Sequence, residues 1–274
     1  MLFDEIGYWS EVKLDIIRDY AQSYSTILSA QTKPRLRHVY IDGFSGSGVH
    51  LSKRTGEFVP GSPLNALRIA PPFREYFLID LDGDKVEQLR QQVGDRAEVH
   101  LETGDCNDVL MQRVFPNVRF EQYRRGLCLL DPYGLHLNWE VIEAAGKLKT
   151  IDLFLNFPIM DMNRNALWRD PEKVLPDNLA RMTAFWGDTS WQSAAYRSQP
   201  TLFGDESVKI ENDEVAAAFG ERLKRVAGFK YVATPLPMRN RKGATVYYLF
   251  FASQKPVAEK IVKDIFRKYQ GRQG

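Results

Sequence analysis

The chain has 274 residues, of which 44% are hydrophobic and 26% charged, with a net charge of +2. That gives room for one large α/β domain, argues against disorder, and is too little charge to make the whole molecule a polyanion binder. Two cysteines, Cys106 and Cys128, exclude a disulfide framework and lack the paired spacing of a zinc site; they read as small buried thiols in a reducing, cytoplasmic setting.

The first segment carries Asp4, Glu5, Glu11, Asp15 and Asp19 and is no secretory signal. Residues 8–30 predict an amphipathic helix, because Tyr8, Val12, Ile16, Tyr20, Tyr24 and Ile27 recur at three- and four-residue spacing. Residues 38–42 predict a short apolar strand ending in an acid and a Gly-rich turn. Residues 49–61 predict a loop, and Ser62-Pro63 a helix start, with Ser at N-cap and Pro at N1. Strands at 76–80, 98–101, 127–131 and 151–157 then alternate with helices at 84–93, 107–115 and 139–148. Residues 158–210 are rich in Asn, Trp and Arg without a clear strand and predict a helical insertion or lid. A helix at 214–226, a hairpin of strands 231–234 and 245–252, and a closing helix at 256–269 complete the chain. Apolar runs such as 247–252 are well short of the ~20 residues a membrane helix needs.

Strands alternating with helices imply a parallel sheet covered on both faces. An antiparallel hairpin added to five parallel strands gives the seven-stranded, mostly parallel sheet of Rossmann-like methyltransferases. The reading is therefore one α/β domain over residues 1–274.

Four turns fall at the carboxyl edge of that sheet. The first, Asp42-Gly43-Phe44-Ser45-Gly46-Ser47-Gly48, lets the backbone turn sharply and approach a ligand closely at Gly46 and Gly48. It is a poor dinucleotide fingerprint, since Leu51 stands where the third Gly belongs and the next strand-end acid comes well beyond ~20 residues, which weakens an NAD-linked oxidoreductase. It is no P-loop, because no Gly-Lys-Ser/Thr follows. The second is Asp80, a carboxylate placed to accept from ribose hydroxyls, with Asp82 as the competing position. The third is Gly104-Asp105-Cys106-Asn107, which either offers an acceptor to an adenine amino group or simply caps a helix. The fourth is Asp131-Pro132-Tyr133-Gly134. There the Asp131 side chain and the Pro132 carbonyl can hold the two hydrogens of a ring amino group, with Tyr133 stacking on the ring; the plain alternative is a turn with Pro at its second position.

Jointly these motifs resemble class I methyltransferases with a D-x-F-x-G-x-G turn and an Asp-Pro-Pro-Tyr site that act on nucleic-acid amino groups. More closely, the chain resembles the three-Cys-motif partner family (TcmP), through Trp9 and Lys13-Leu14 in the opening helix, the 41–48 turn, Gly61-Ser62-Pro63, Asp131-Pro132-Tyr133-Gly134, and the strands at 152–157 and 247–253. The resemblance implies a Rossmann-like class I fold that binds S-adenosylmethionine through Asp42, Phe44, Gly46, Gly48, Asp80 and Asp105, with Asp131, Pro132 and Tyr133 catalytic. It also implies a nucleic-acid substrate or, alternatively, a weakly catalytic binding partner of a cysteine-motif protein, for which an iron–sulfur protein is one identity. The chain departs from the pattern at one place: Asp-Pro-Pro-Tyr becomes Asp-Pro-Tyr-Gly, so the aromatic moves up one position.

Lys53-Arg54, Arg124-Arg125 and Arg239/Arg241/Lys242 are basic clusters that read as solvated loops or as the border of a phosphate-binding groove. Trp168, Trp186 and Trp191 read as core packing before base stacking. His38, His50, His100 and His136 show no metal spacing, and His50 and His136 lie beside the turns.

Overall fold

The computed structural model describes residues 4–201, 204–240 and 242–270. Among them, a mixed sheet of eight strands forms the centre. Its strands are β1 (Arg37–Asp42), β2 (Glu75–Asp80), β3 (Val99–Thr103), β4 (Arg124–Leu130), β5 (Ile151–Phe157), β6 (Tyr231–Val232), β7 (Leu236–Arg239) and β8 (Thr245–Ser253). The spatial order is β3-β2-β1-β4-β5-β8, with β6 and β7 both pairing to β8. The first five strands are parallel, and β8 runs antiparallel to β5 with Tyr248 opposite Phe157. This is the Rossmann-like class I methyltransferase fold. The sixth strand of the seven-strand plan is split in two around Thr234-Pro235, and it carries Pro237 at a sheet edge, where a missing donor is tolerated.

Side chains alternate along each strand, so one strand feeds two cores. Val39, Ile41, Cys128, Leu130, Leu153 and Leu155 face a layer that includes helices Trp139–Leu148, Pro176–Trp186 and Asn212–Arg225. Tyr40, Leu127, Leu129 and Phe154 face the layer of Tyr8–Ser29, Gly83–Val93 and Pro256–Gln270. The opening helix is pinned to the sheet by a buried polar contact: Asp152 on β5 accepts from Tyr20 Oη at 2.6 Å and from Ser253 Oγ at 2.5 Å.

Two regions differ from the sequence expectation. Within the predicted loop at 49–61, Val49–Ser52 and Phe58–Pro60 pair as a small antiparallel sheet, joined by Glu5–Ile6. Strands this short carry no readable periodicity. In 158–210 the predicted helices are present (Ile159–Asn165, Pro176–Trp186, Trp191–Ala195), followed by an unexpected hairpin, Tyr196–Thr201 with Gly204–Lys209. Its strands are too polar to show the alternation that marks a half-buried strand. Residues 202 and 203 lie outside the described residues, as does Arg241 of the third basic cluster. No helix among the described residues is long and apolar enough to cross a membrane.

Candidate functional site

Strand ends carry the site. The Gly-rich turn leaves β1 and is stitched to its neighbours: Gly43 N–H donates to Leu129 O at 3.0 Å, Ser45 N–H to Ile79 O at 2.8 Å, and Gly46 N–H to the Asp80 carboxylate at 2.8 Å. Gly46 and Gly48 have φ of +63° and +85°, the left-handed region that favours glycine. Their surroundings are opposite. A Cβ on Gly46 would meet nothing within 4 Å, whereas one on Gly48 would sit 2.7 Å from Leu89 Cδ1. Gly46 therefore keeps the cleft open, and Gly48 lets the helix Gly83–Val93 pack.

Above the turn lies a cleft of about 1010 Å³. Phe44, Gly46, Asp80, Asp105, Asp131, Pro132 and Tyr133 all line it. Asp42 and Gly48 do not. Asp42 is fully buried beneath the turn, where its carboxylate accepts from Phe44 N–H at 3.2 Å, and burial pushes its carboxyl up to about 7 despite hydrogen bonds from Ser62 and Phe44. Asp80 accepts Gly46 N–H on one oxygen and Asp82 N–H on the other at 2.9 Å, leaving one lone pair per oxygen for a ligand. Asp82 caps the following helix through Asp84 N–H at 2.9 Å and does not line the cleft, whereas Asp80 does. Asp105 both lines the cleft and caps its helix, accepting from Asn107 N–H at 2.8 Å.

The fourth turn holds what the sequence reading missed. Lys13, from the opening helix, is buried and ion-paired with one oxygen of Asp131, and it lies 5.1 Å from the centroid of the Tyr247 ring. Burial alone would lower the Lys13 ammonium, but Asp131, Tyr247 and Asp42 outweigh it and hold the group above its ordinary value. The sequence signal was a lysine on the buried stripe of an amphipathic helix, beside Val12, Ile16 and Ile17. Tyr133 is 92% exposed at the mouth. Gly134 makes room for Asp161, whose Oδ2 would lie 3.0 Å from an added Cβ. The displaced aromatic thus projects into solvent, and an acid of the helix Ile159–Asn165 packs where a side chain at position 134 would stand.

Three buried polar atoms around the cleft have no partner among the described residues: Ser45 Oγ, His50 Nδ1 and Asn156 Oδ1. An unpaired buried polar atom costs free energy of about 1–3 kcal/mol, so such atoms at a cleft fit a polar ligand. Asn156 was not singled out in the sequence; its signal is an amide that, with Asp152, interrupts a largely apolar strand. His136 lines the cleft as well. Cys106 is a neutral thiol, pushed up to about 12 by burial, and no group of residues able to hold a metal occurs among those described. Trp186 and Trp191 are core residues, as expected. Of the basic clusters, Arg124 lies at the opposite edge of the sheet, held by Glu75 at 2.5 and 3.0 Å.

No protein-family model and no curated protein sequence matches the chain. Among solved structures, the chain is similar to protein LPL1258 of Legionella pneumophila, of the DUF519 family (TM-score 0.50, 13% identity, covering 93% of this chain and 92% of that one). It is also similar to a Listeria monocytogenes protein proposed to be an S-adenosylmethionine-dependent methyltransferase (TM-score 0.43, 11% identity, covering 86% and 98%). At these identities the first likeness is one of fold, in agreement with the strand order.

Proposed function

We propose that residues 1–274 are one methyltransferase-like domain, with 158–210 inserted, that transfers a methyl group from S-adenosylmethionine to an amino group of a nucleic-acid base. One observation supports this most: the four turns converge on a single cleft whose lining leaves Ser45, His50 and Asn156 with unpaired polar atoms. In this reading Asp80 accepts from ribose hydroxyls, Asp105 takes an adenine amino hydrogen, and Phe44 and Gly46 shape the floor. Asp42 and Gly48 support the turn from below. S-adenosylmethionine supplies an electrophilic methyl on a positively charged sulfur. Six carboxylates and four cations line the cleft; Asp131, Glu5 and Asp4 are paired with lysines, and Asp80, Asp105 and Asp161, without an ion pair among the described residues, suit that charge.

At the acceptor end, Lys13 takes one oxygen of Asp131 and so fixes the direction of the other. The free oxygen and the Pro132 carbonyl hold the two amino hydrogens, which turns the nitrogen lone pair away from them. Asp131 then receives the proton that the nitrogen gives up, and Tyr133 covers the ring. The experiment is labelled-methyl transfer to total RNA and total DNA. Incorporation into either supports the reading; none into both, with protein shown to bind cofactor, rejects it.

The Lys13–Asp131 pair and the solvent-exposed Tyr133 favour a second reading: a cofactor-binding partner of a cysteine-motif protein, in keeping with the TcmP resemblance, with little transfer of its own. Addition of that partner to the same assay separates the two.

A further inference from the structure

A second cleft of about 1110 Å³ adjoins the first and shares Ser10, Lys53, Val246 and Tyr247 with it. Its chemistry is different. Lys53, Arg54 and Arg239 line it, and no carboxylate among the described residues does. Lys53 and Arg54 are half-exposed and pair with Glu5 and Glu11 at 3.8 and 3.5 Å, long pairs whose cation ends stay open to solvent. Arg239 is exposed and has no ion pair among the described residues. Tyr8 and Trp9, half-buried and packed edge-on at 5.4 Å, form another wall.

Cations along a groove with aromatic rings beside them are what a nucleic-acid strand requires: charge for the phosphates and flat apolar surface for the bases. A solvated loop would leave those cations scattered; here three of them, from 53–54 and from 239, border one concavity that opens onto the first cleft. Asp131 lines that first cleft, and chemistry on a base there takes the base out of its stack. Resting on the methyl-transfer reading, we infer that the second cleft holds the phosphodiester flank of a single-stranded nucleic acid, whose target base crosses the Val246–Tyr247 wall to Asp131.

The test is fluorescence anisotropy of a labelled single-stranded oligonucleotide over about 50–200 mM salt, with calorimetric titration of S-adenosylhomocysteine on the same full-length samples. The variant is Arg54→Gln/Arg239→Gln, whose residues do not line the cofactor cleft. Wild type is expected to bind with affinity that falls steeply with salt. The variant is expected to bind more weakly and to lose about 0.7 of the log–log salt slope per lost phosphate contact, with an unchanged melting temperature and unchanged S-adenosylhomocysteine affinity. An unchanged slope and affinity in the variant would overturn the inference, as would equal competition by a peptide rich in Asp and Glu. Absence of oligonucleotide binding in wild type that does bind S-adenosylhomocysteine overturns it while sparing the cofactor reading. Oligonucleotide binding lost only in the variant, in protein that binds no S-adenosylhomocysteine, supports the groove and rejects the cofactor reading.

Discussion

Two neighbouring clefts share a wall yet differ in their balance of charge. The one above the Gly-rich turn is lined by six acids, Asp4, Glu5, Asp80, Asp105, Asp131 and Asp161, against four cations, Lys13, Lys53, Lys85 and Arg164; the one beside it by Lys53, Arg54 and Arg239, with no acid among the described residues. The acids arise from sheet topology: parallel strands bring their carboxyl ends to one edge, so turns far apart in sequence meet. The cations come from the loop after Val49–Ser52 and the end of β7, which no sheet rule positions. A fold of this kind supplies one cleft as a matter of plan and the other by loop decoration, and specificity is expected from the second.

The largest expected effect separates the two glycines of the turn. Gly46→Val fills open cleft space and strains a left-handed position, so S-adenosylhomocysteine binding should become undetectable while the fold survives, at a strain cost of about 1–3 kcal/mol. Gly48→Ala should act the other way, losing about 2–4 kcal/mol of stability through strain and overlap with Leu89 and affecting binding only through the fold. Calorimetry and urea melts on both variants give the comparison. Equal behaviour of the two would show that the open space at Gly46 is not a ligand site.

Asp131→Ala comes next. It should leave S-adenosylhomocysteine affinity within about twofold and lower kcat/KM by at least about 100-fold. It also strands a buried lysine, at a cost of about 3 kcal/mol. Adding Lys13→Met should restore the stability and not the transfer. Restored activity in the double variant would mean that Asp131 only neutralises Lys13.

Much of this architecture was legible beforehand, for physical reasons. The apolar runs of β1, β4 and β5 are buried on both faces and announce themselves as strands, and Gly46 and Asp80 follow from where such strands end. Lys13 was seen only as a motif residue, because its role depends on a contact with Asp131 far along the chain. The short strands at 49–52 and 58–60 and the polar hairpin at 196–209 carry no periodicity, since tertiary contacts, not local pattern, make them. The second cleft was partly legible: Lys53, Arg54 and Arg239 stood out, but so did Arg124, which the topology sends to the opposite edge of the sheet.

A smaller effect concerns the acid beneath the first cleft. An unfolded-chain Asp ionises near 3.8 and buried Asp42 near 7. Between those values the native state keeps a proton that the unfolded state has released, so Asp42 makes stability fall as pH rises through that window and level off above about 7. Asp152, raised to about 6 by burial, contributes with the same sign. Asp42→Asn should flatten the decline, by up to about 1.4 kcal/mol per pH unit. Denaturant melts at acid and neutral pH check it; parallel wild-type and variant curves would place the Asp42 proton elsewhere. The smallest expected effect is at Tyr133: its replacement by Ala should change stability by less than about 0.5 kcal/mol and weaken acceptor binding alone, seen as a raised KM.

The most direct test of the account is calorimetric titration of wild-type protein, freed of carried-over cofactor, with S-adenosylhomocysteine, NAD and ATP in turn. The predicted result is saturable binding of S-adenosylhomocysteine at one site per chain, with a stability gain of roughly 2.7 kcal/mol at 100 times Kd, and no comparable binding of the other two. No binding of S-adenosylhomocysteine at millimolar concentration, or tighter binding of NAD, would contradict it.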